Sequence, residues 1–161
     1  MSGVSIQIDI DDRQIQAALS KLIALGQNLS PVMQAIAFDG EKSTKDRFRD
    51  SKAPDGSTWK PNVRGNKTLI LTSELVNSIT RHSGADFAEW GSNVIYAAIH
   101  QFGGVIRAKN KPYLVFKVPG GRLRRVKQVT MPARPYLGLN AEDEENILDI
   151  INRNLQQAVF G

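Results

Sequence analysis

The stretch Ser83-Gly84-Ala85-Asp86-Phe87-Ala88-Glu89-Trp90-Gly91-Ser92-Asn93-Val94-Ile95-Tyr96 decides the fold. Two short apolar runs, Phe87 to Trp90 and Val94 to Tyr96, are separated by Gly91-Ser92-Asn93 and preceded by the turn residues Ser83 to Asp86. Strands this short, with only turn residues between them, pair antiparallel, because a parallel crossover needs a dozen or more residues. Helical patterns lie on either side. The order is therefore strands and helices in blocks, an α+β fold and not a βαβ repeat. We expect one domain over 1–161, an antiparallel sheet or meander packed against two to three helices, with a long flexible basic hairpin.

Upstream, Val4, Ile6, Ile8 and Ile10 alternate with polar residues, the period of a half-buried strand. Asp11 and Asp12 suit a helix start, and Ile15, Leu19, Leu22 and Ile23 follow at helical spacing to Gly26. Ser30-Pro31 predicts a second helix, with serine as cap. Its stripe Met33, Ile36, Ala37, Gly40, Thr44, Phe48 carries it to about Asp50. Gly40 at its centre costs roughly 1 kcal/mol against alanine, which implies close packing of another backbone. Residues 51–67 are rich in Pro, Gly and Asp and read as a long, mobile loop. Trp59 within it is either tucked onto the core or held for a partner. Thr72 or Ser73 caps a short helix bearing Leu75, Val76 and Ile79.

Downstream, Ala97 to Phe102 is a brief helix stopped by Gly103-Gly104. Tyr113–Val118 and Leu123–Val129 flank Pro119-Gly120-Gly121, a hairpin signal. The approach to it is polar, so 105–127 is expected to be mobile. Met131 to Tyr136 is extended, since prolines disfavour helix in the residues before them. Asn140 then caps a final helix whose first turn is loaded with Glu142, Asp143, Glu144 and Glu145. Its apolar stripe is Ile147, Ile150, Ile151, Leu155, Ala158 and Val159.

Composition removes several function classes. The 161 residues contain no cysteine, so disulfides, thiol nucleophiles and iron–sulfur clusters are excluded. There are two histidines, His82 and His100. No apolar run approaches the ~18 residues of a membrane span, and the first ten residues resemble no secretory signal. A protein of a reducing cytoplasm is expected, or one exported only within something larger. The net charge is +5 and uneven: no acidic residue lies between Glu89 and Glu142. Nine basic residues fall within 107–134, namely Arg107, Lys109, Lys111, Lys117, Arg122, Arg124, Arg125, Lys127 and Arg134. Such a segment answers either to an acidic or phosphate-rich partner or to solvation of a hairpin edge.

No phosphate loop, nucleophile elbow or zinc-protease motif occurs. His100 is the obvious candidate base, but no carboxylate lies within ten residues of it, so a structural histidine is the better reading. Asp9, Asp11 and Asp12 lack the glycine and distal glutamate of a calcium loop. We expect no catalytic residue, no metal and no cofactor. For nucleic acid, Arg124, Arg125 and Lys127 supply charge, and Tyr113 and Phe116 could stack bases. A non-specific nucleic-acid-binding module using hairpin 107–134 is accordingly the alternative to a purely structural role.

One constellation spans the middle of the chain. It runs Arg47-Phe48; Pro54-Asp55-Gly56-Ser57-Thr58-Trp59-Lys60-Pro61; Leu71-Thr72-Ser73-Glu74-Leu75-Val76-Asn77-Ser78-Ile79; Trp90 to Gly103; and Met131-Pro132-Ala133-Arg134-Pro135-Tyr136-Leu137-Gly138. It resembles the virion morphogenesis (tail completion) proteins of contractile-tailed, Mu-like bacteriophages, over roughly residues 30–158. Where that family commonly has glycine, this chain has Ser73. The resemblance implies a structural virion protein and no enzyme. By the same resemblance it is expected to act late, as a ring at the tail end or neck that joins tail to DNA-filled head, with six copies implied by tail symmetry. Implied partners are further copies of itself, tail-tube or tail-terminator proteins, head-connector proteins and, non-specifically, packaged DNA, with no membrane. Assembly takes place in the bacterial host cytoplasm. Trp59, Tyr96, His100, Phe102, Arg134 and Tyr136 are candidate subunit contacts, aromatic and arginine anchors being the residues that dominate interfaces. Arg134 suits a bidentate bond to a neighbour's carboxylate. The other eight basic residues would meet DNA or an acidic partner.

Overall fold

A computed structural model describes residues 12–65 and 67–161. The strand expected over Val4–Ile10 lies outside them. The elements run α1 (Arg13–Ala24), α2 (Ser30–Asp50), α3 (Glu74–Asn77), β1 (Thr80–Ser83), β2 (Ala88–Gly91), α4 (Ala97–Phe102), β3 (Gly104–Arg107), β4 (Leu114–Lys117), β5 (Leu123–Val126), β6 (Gln128–Met131) and α5 (Ala141–Phe160). This is an α+β fold with antiparallel pairing throughout the described strands, arranged as three two-stranded ribbons, β1–β2, β3–β6 and β4–β5.

Local chemistry sets the helix ends. The Asp12 carboxylate accepts from the amides of Gln14 and Ile15 at 2.7 and 3.2 Å and so starts α1. At α2, Ser30 is inside the first turn instead of capping it. Asn28 accepts the Ser30 amide at 3.0 Å, because its carbonyl reaches that orphan donor two residues on. Ser51 closes α2 in the left-handed region, φ 54°. Asn140 caps α5 in a reciprocal box, accepting from the Asp143 amide at 2.8 Å while its own amide donates to Asp143 at 3.0 Å.

Two strand assignments differ from the sequence reading. Thr80 to Ser83 forms β1 although its side chains are largely exposed; its ladder with β2, Thr80 opposite Gly91 and Arg81 opposite Trp90, defines it without any buried face. Val94 to Tyr96 forms no strand. The Ala97 amide turns back onto the Val94 carbonyl at 3.1 Å, which leads directly into α4.

The apolar interior is divided in two. One core holds Ile15, Ala18 and Leu22 of α1, Val32, Met33 and Ile36 of α2, and Ile147, Ile150 and Ile151 of α5. The other holds Phe48, Ala53, Trp59, Leu75, Ile79, Ala97, Tyr136 and Leu137. Helix α2 runs through both, and Trp90 packs on both. A Cβ at Gly40 would fall inside the Trp90 indole, so this glycine makes room for a ring crossing the helix, not for another backbone. Each large side chain buried here stabilises by roughly 1.5–3 kcal/mol.

A clasp joins the C-terminal end of α2 to the start of α5. The buried Arg47 guanidinium pairs with the Asp143 carboxylate and donates to the carbonyls of Tyr136 and Gly138 at 3.1 and 2.8 Å. Ser43 donates to the other Asp143 oxygen at 2.5 Å.

Candidate functional site: a basic arm and the cleft at its root

The segment Arg134 to Leu137 is fixed from several sides. Gln101 of α4, itself buried, accepts from the amides of Tyr136 and Leu137 at 3.0 Å each and donates to the Leu137 carbonyl at 3.1 Å. The Tyr136 hydroxyl donates to the Ala97 carbonyl at 2.9 Å, and burial pushes its pKa up to about 12. The Trp59 indole donates to the Pro135 carbonyl at 2.8 Å and meets Phe48 edge-on at 5.4 Å. Trp59 and Tyr136 are 3% and 0% exposed. In the isolated chain these two contact candidates belong to the interior, and Trp59 takes the tucked position.

Gly103 (φ 68°) releases the chain from α4, and a Cβ there would lie 2.7 Å from the Ala133 nitrogen. The arm begins at this point. Its inner half is the β3–β6 ladder, Gly104 opposite Met131 through Arg107 opposite Gln128. Its outer half is β4–β5, Leu114 opposite Val126 through Lys117 opposite Leu123. The turn expected at Pro119-Gly120-Gly121 closes it, with the Val118 amide on the Arg122 carbonyl at 2.9 Å. The inner ladder is longer than the sequence indicated, because Gly104 to Arg107 is a paired strand.

Between the two ladders, six residues, Ala108 to Tyr113, stand opposite the single residue Lys127. Paired residues in an antiparallel ladder share a face and successive residues alternate. Leu114, Phe116, Arg124 and Val126 therefore form one face of β4–β5, and Val115, Lys117, Leu123 and Arg125 the other. Basic and apolar side chains are mixed on both. Arg107, Lys109, Lys111, Lys117, Arg122, Arg124, Arg125 and Lys127 are all exposed, as are Val105, Ile106, Tyr113, Val115 and Leu123.

The ninth basic residue is not on the arm. Arg134 is 5% exposed; its Nε donates to the Lys60 carbonyl at 2.8 Å and a terminal nitrogen to the Pro61 carbonyl at 3.3 Å. Its fork is thus already engaged with this chain's own backbone, and burial lowers its pKa. With His100 and Tyr96 of the turn and helix before the arm, Arg134 lines a cleft of about 440 Å³. Val63, Leu69, Leu71, Leu75 and Met131 are among the residues of its other walls. The Tyr96 and His100 rings meet edge-on at 5.9 Å, and burial, then the neighbouring Glu74 carboxylate, raises the pKa of the Tyr96 hydroxyl. Burial, then the Arg134 charge, lowers the pKa of His100. Its Nδ1 is buried without a hydrogen-bond partner. Phe102, 61% exposed, stands outside the cleft. The sequence reading missed Gln101 and Asp143 as organising residues; their signals were a polar residue inside a short apolar helix and an acid three places after the Asn140 cap.

Among the described residues no helix is long and apolar enough to cross a membrane, and no group of three or more His, Asp or Glu is placed to hold a metal ion. A sequence profile of the phage virion morphogenesis family matches residues 10–156. The Mu-like prophage FluMu G protein 2 of Haemophilus influenzae is 33% identical over 153 residues, 94% of this chain and 96% of that protein. The "Putative capsid assembly protein G" of Escherichia phage Mu is 29% identical, covering 98% of each chain. No solved structure matches.

Proposed function

The chain belongs to the phage virion morphogenesis family, and on that premise we propose that it is a tail-completion or neck component that joins tail to head, working as a ring of copies. The role is structural, not catalytic. Burial and then the charge of neighbouring Arg134 disfavour the His100 imidazolium, and no carboxylate among its described partners orients it as a base. Localisation to the tail or neck of the virion follows from the same proposal.

The observation that carries the reading is the arm. An isolated two-stranded ribbon is marginal in water. This one leaves Val105, Val115 and Leu123 exposed together with eight positive charges. Such a surface calls for a cover that is acidic and apolar at once, which suits an assembly partner such as a tail-terminator, head-connector or neighbouring copy. Arg124 and Arg125 point to opposite faces, which favours a protein wrapped about the ribbon over one DNA duplex on a single face. Head-to-tail contacts of this kind close into rings when the rotation permits.

The test is the double substitution Arg124→Glu, Arg125→Glu in an assembling phage. Free heads and free tails are expected to accumulate under electron microscopy, while the purified variant keeps the wild-type circular dichroism melt. Normal numbers of joined particles would reduce the arm to a solubilising surface. Salt-dependent duplex binding by the isolated wild-type chain, lost in the variant, would favour DNA as the cover instead.

A further inference from the structure

We infer that the cleft between Tyr96, His100 and Arg134 is a receptor for a carboxylate side chain carried on an apolar segment of another polypeptide. The floor and walls include Leu69, Leu71, Leu75 and Met131, which suit aliphatic or aromatic neighbours of that carboxylate. The polar groups converging on the cleft are predominantly cationic: Arg134 from within, Arg64 and Lys67 on exposed loop positions. The one acidic residue among its lining, Glu74, lies beside the Tyr96 hydroxyl.

Arg134 is the central observation. Buried charges are normally paired with an opposite charge. This guanidinium is 5% exposed and holds two backbone carbonyls, and no carboxylate among the described residues pairs with it. The contrast with Arg47 is direct: equally buried, it has Asp143. Beside Arg134, His100 keeps a buried ring nitrogen without a partner. A single incoming carboxylate would neutralise the first and sit in the field of the second. A phosphodiester would supply the charge but would leave the apolar wall uncovered, so a polypeptide is the better match.

The inference deepens the assembly reading and rests on it for the source of the segment, but it is tested on the isolated chain. The chain has two histidines, and His82 lies on β1 paired with Glu89 at 3.2 Å, so it serves as an internal control. The probes are acetyl-Phe-Glu-Leu-amide, its Gln counterpart and inorganic phosphate, followed by nuclear magnetic resonance of the two imidazole rings. The Glu peptide is expected to shift the His100 signals saturably, to raise the pH at which His100 titrates, and to leave His82 unmoved. The Gln peptide should bind about tenfold more weakly. The rim variant Arg64→Glu, Lys67→Glu, which touches no buried group, should weaken the Glu peptide by a similar factor with an unchanged melt. No saturable change at millimolar peptide, equal binding of the Gln peptide, or tighter binding of phosphate would each overturn the proposal. Loss of head joining by the arm variant together with a silent His100 would sink this inference and leave the assembly role standing.

Discussion

From Arg134 to Asp143 the chain is gripped by side chains of α2, α4 and the 51–61 loop, whereas from Gly104 to Met131 it is held chiefly by its own strand pairing. Arginines serve both regions, yet they do different work. Arg47 and Arg134 are buried and organise backbone carbonyls; Arg107, Arg122, Arg124 and Arg125 are exposed. A folded body whose buried guanidiniums are held by its own carbonyls, next to an arm whose cations face solvent, shows where selection for stability ends and selection for contact begins.

That contrast can be broken from the body side first. Asp143→Ala leaves the Arg47 charge buried and unpaired and should cost ~3–5 kcal/mol in urea unfolding; a loss below ~1 kcal/mol would show that the clasp is relaxed by water. Gln101→Leu strands two buried amides and one carbonyl and should cost ~2–3 kcal/mol by the same measurement. Gly40→Val forces a branched side chain into the Trp90 ring and is expected to cost ~1–3 kcal/mol, with altered Trp90 fluorescence. Ser73→Gly should move the other way. Ser73 sits at φ 57°, left-handed backbone that glycine adopts without strain, so the melting curve should rise by the equivalent of up to ~1 kcal/mol. On the arm, Arg124→Glu with Arg125→Glu should change stability by no more than ~0.5 kcal/mol. A larger loss would mean that the arm is coupled to the body after all.

The legible parts of the molecule were those where a local rule and a buried face coincide. Helix α5 announces itself through Asn140, its acidic first turn and the Ile147–Ile151 stripe, and α1 through Asp12 and Leu22. The Ser73 departure from glycine also pointed to a real backbone feature. Strands β1 and β3 were not legible, because their exposed side chains leave no alternation to read. The Arg47–Asp143 pair spans 96 residues, and an acid at a helix start already had a sufficient local explanation. Gly40 signalled a close approach, but a missing side chain does not say whether ring or backbone fills the space. The inward turn of Arg134 was hidden for a similar reason: its acceptors are the main-chain oxygens of Lys60 and Pro61, which every sequence supplies.

The unequal strands of the arm, six residues from Ala108 to Tyr113 facing Lys127 alone, have a geometric consequence. Register in the outer ladder is decoupled from register in the inner one, so lengthening or shortening that excursion would swing and rotate the tip while every hydrogen bond at the root stayed in place. Evolution could thereby re-aim the charged end at a differently shaped neighbour without redesigning the trunk that bears it.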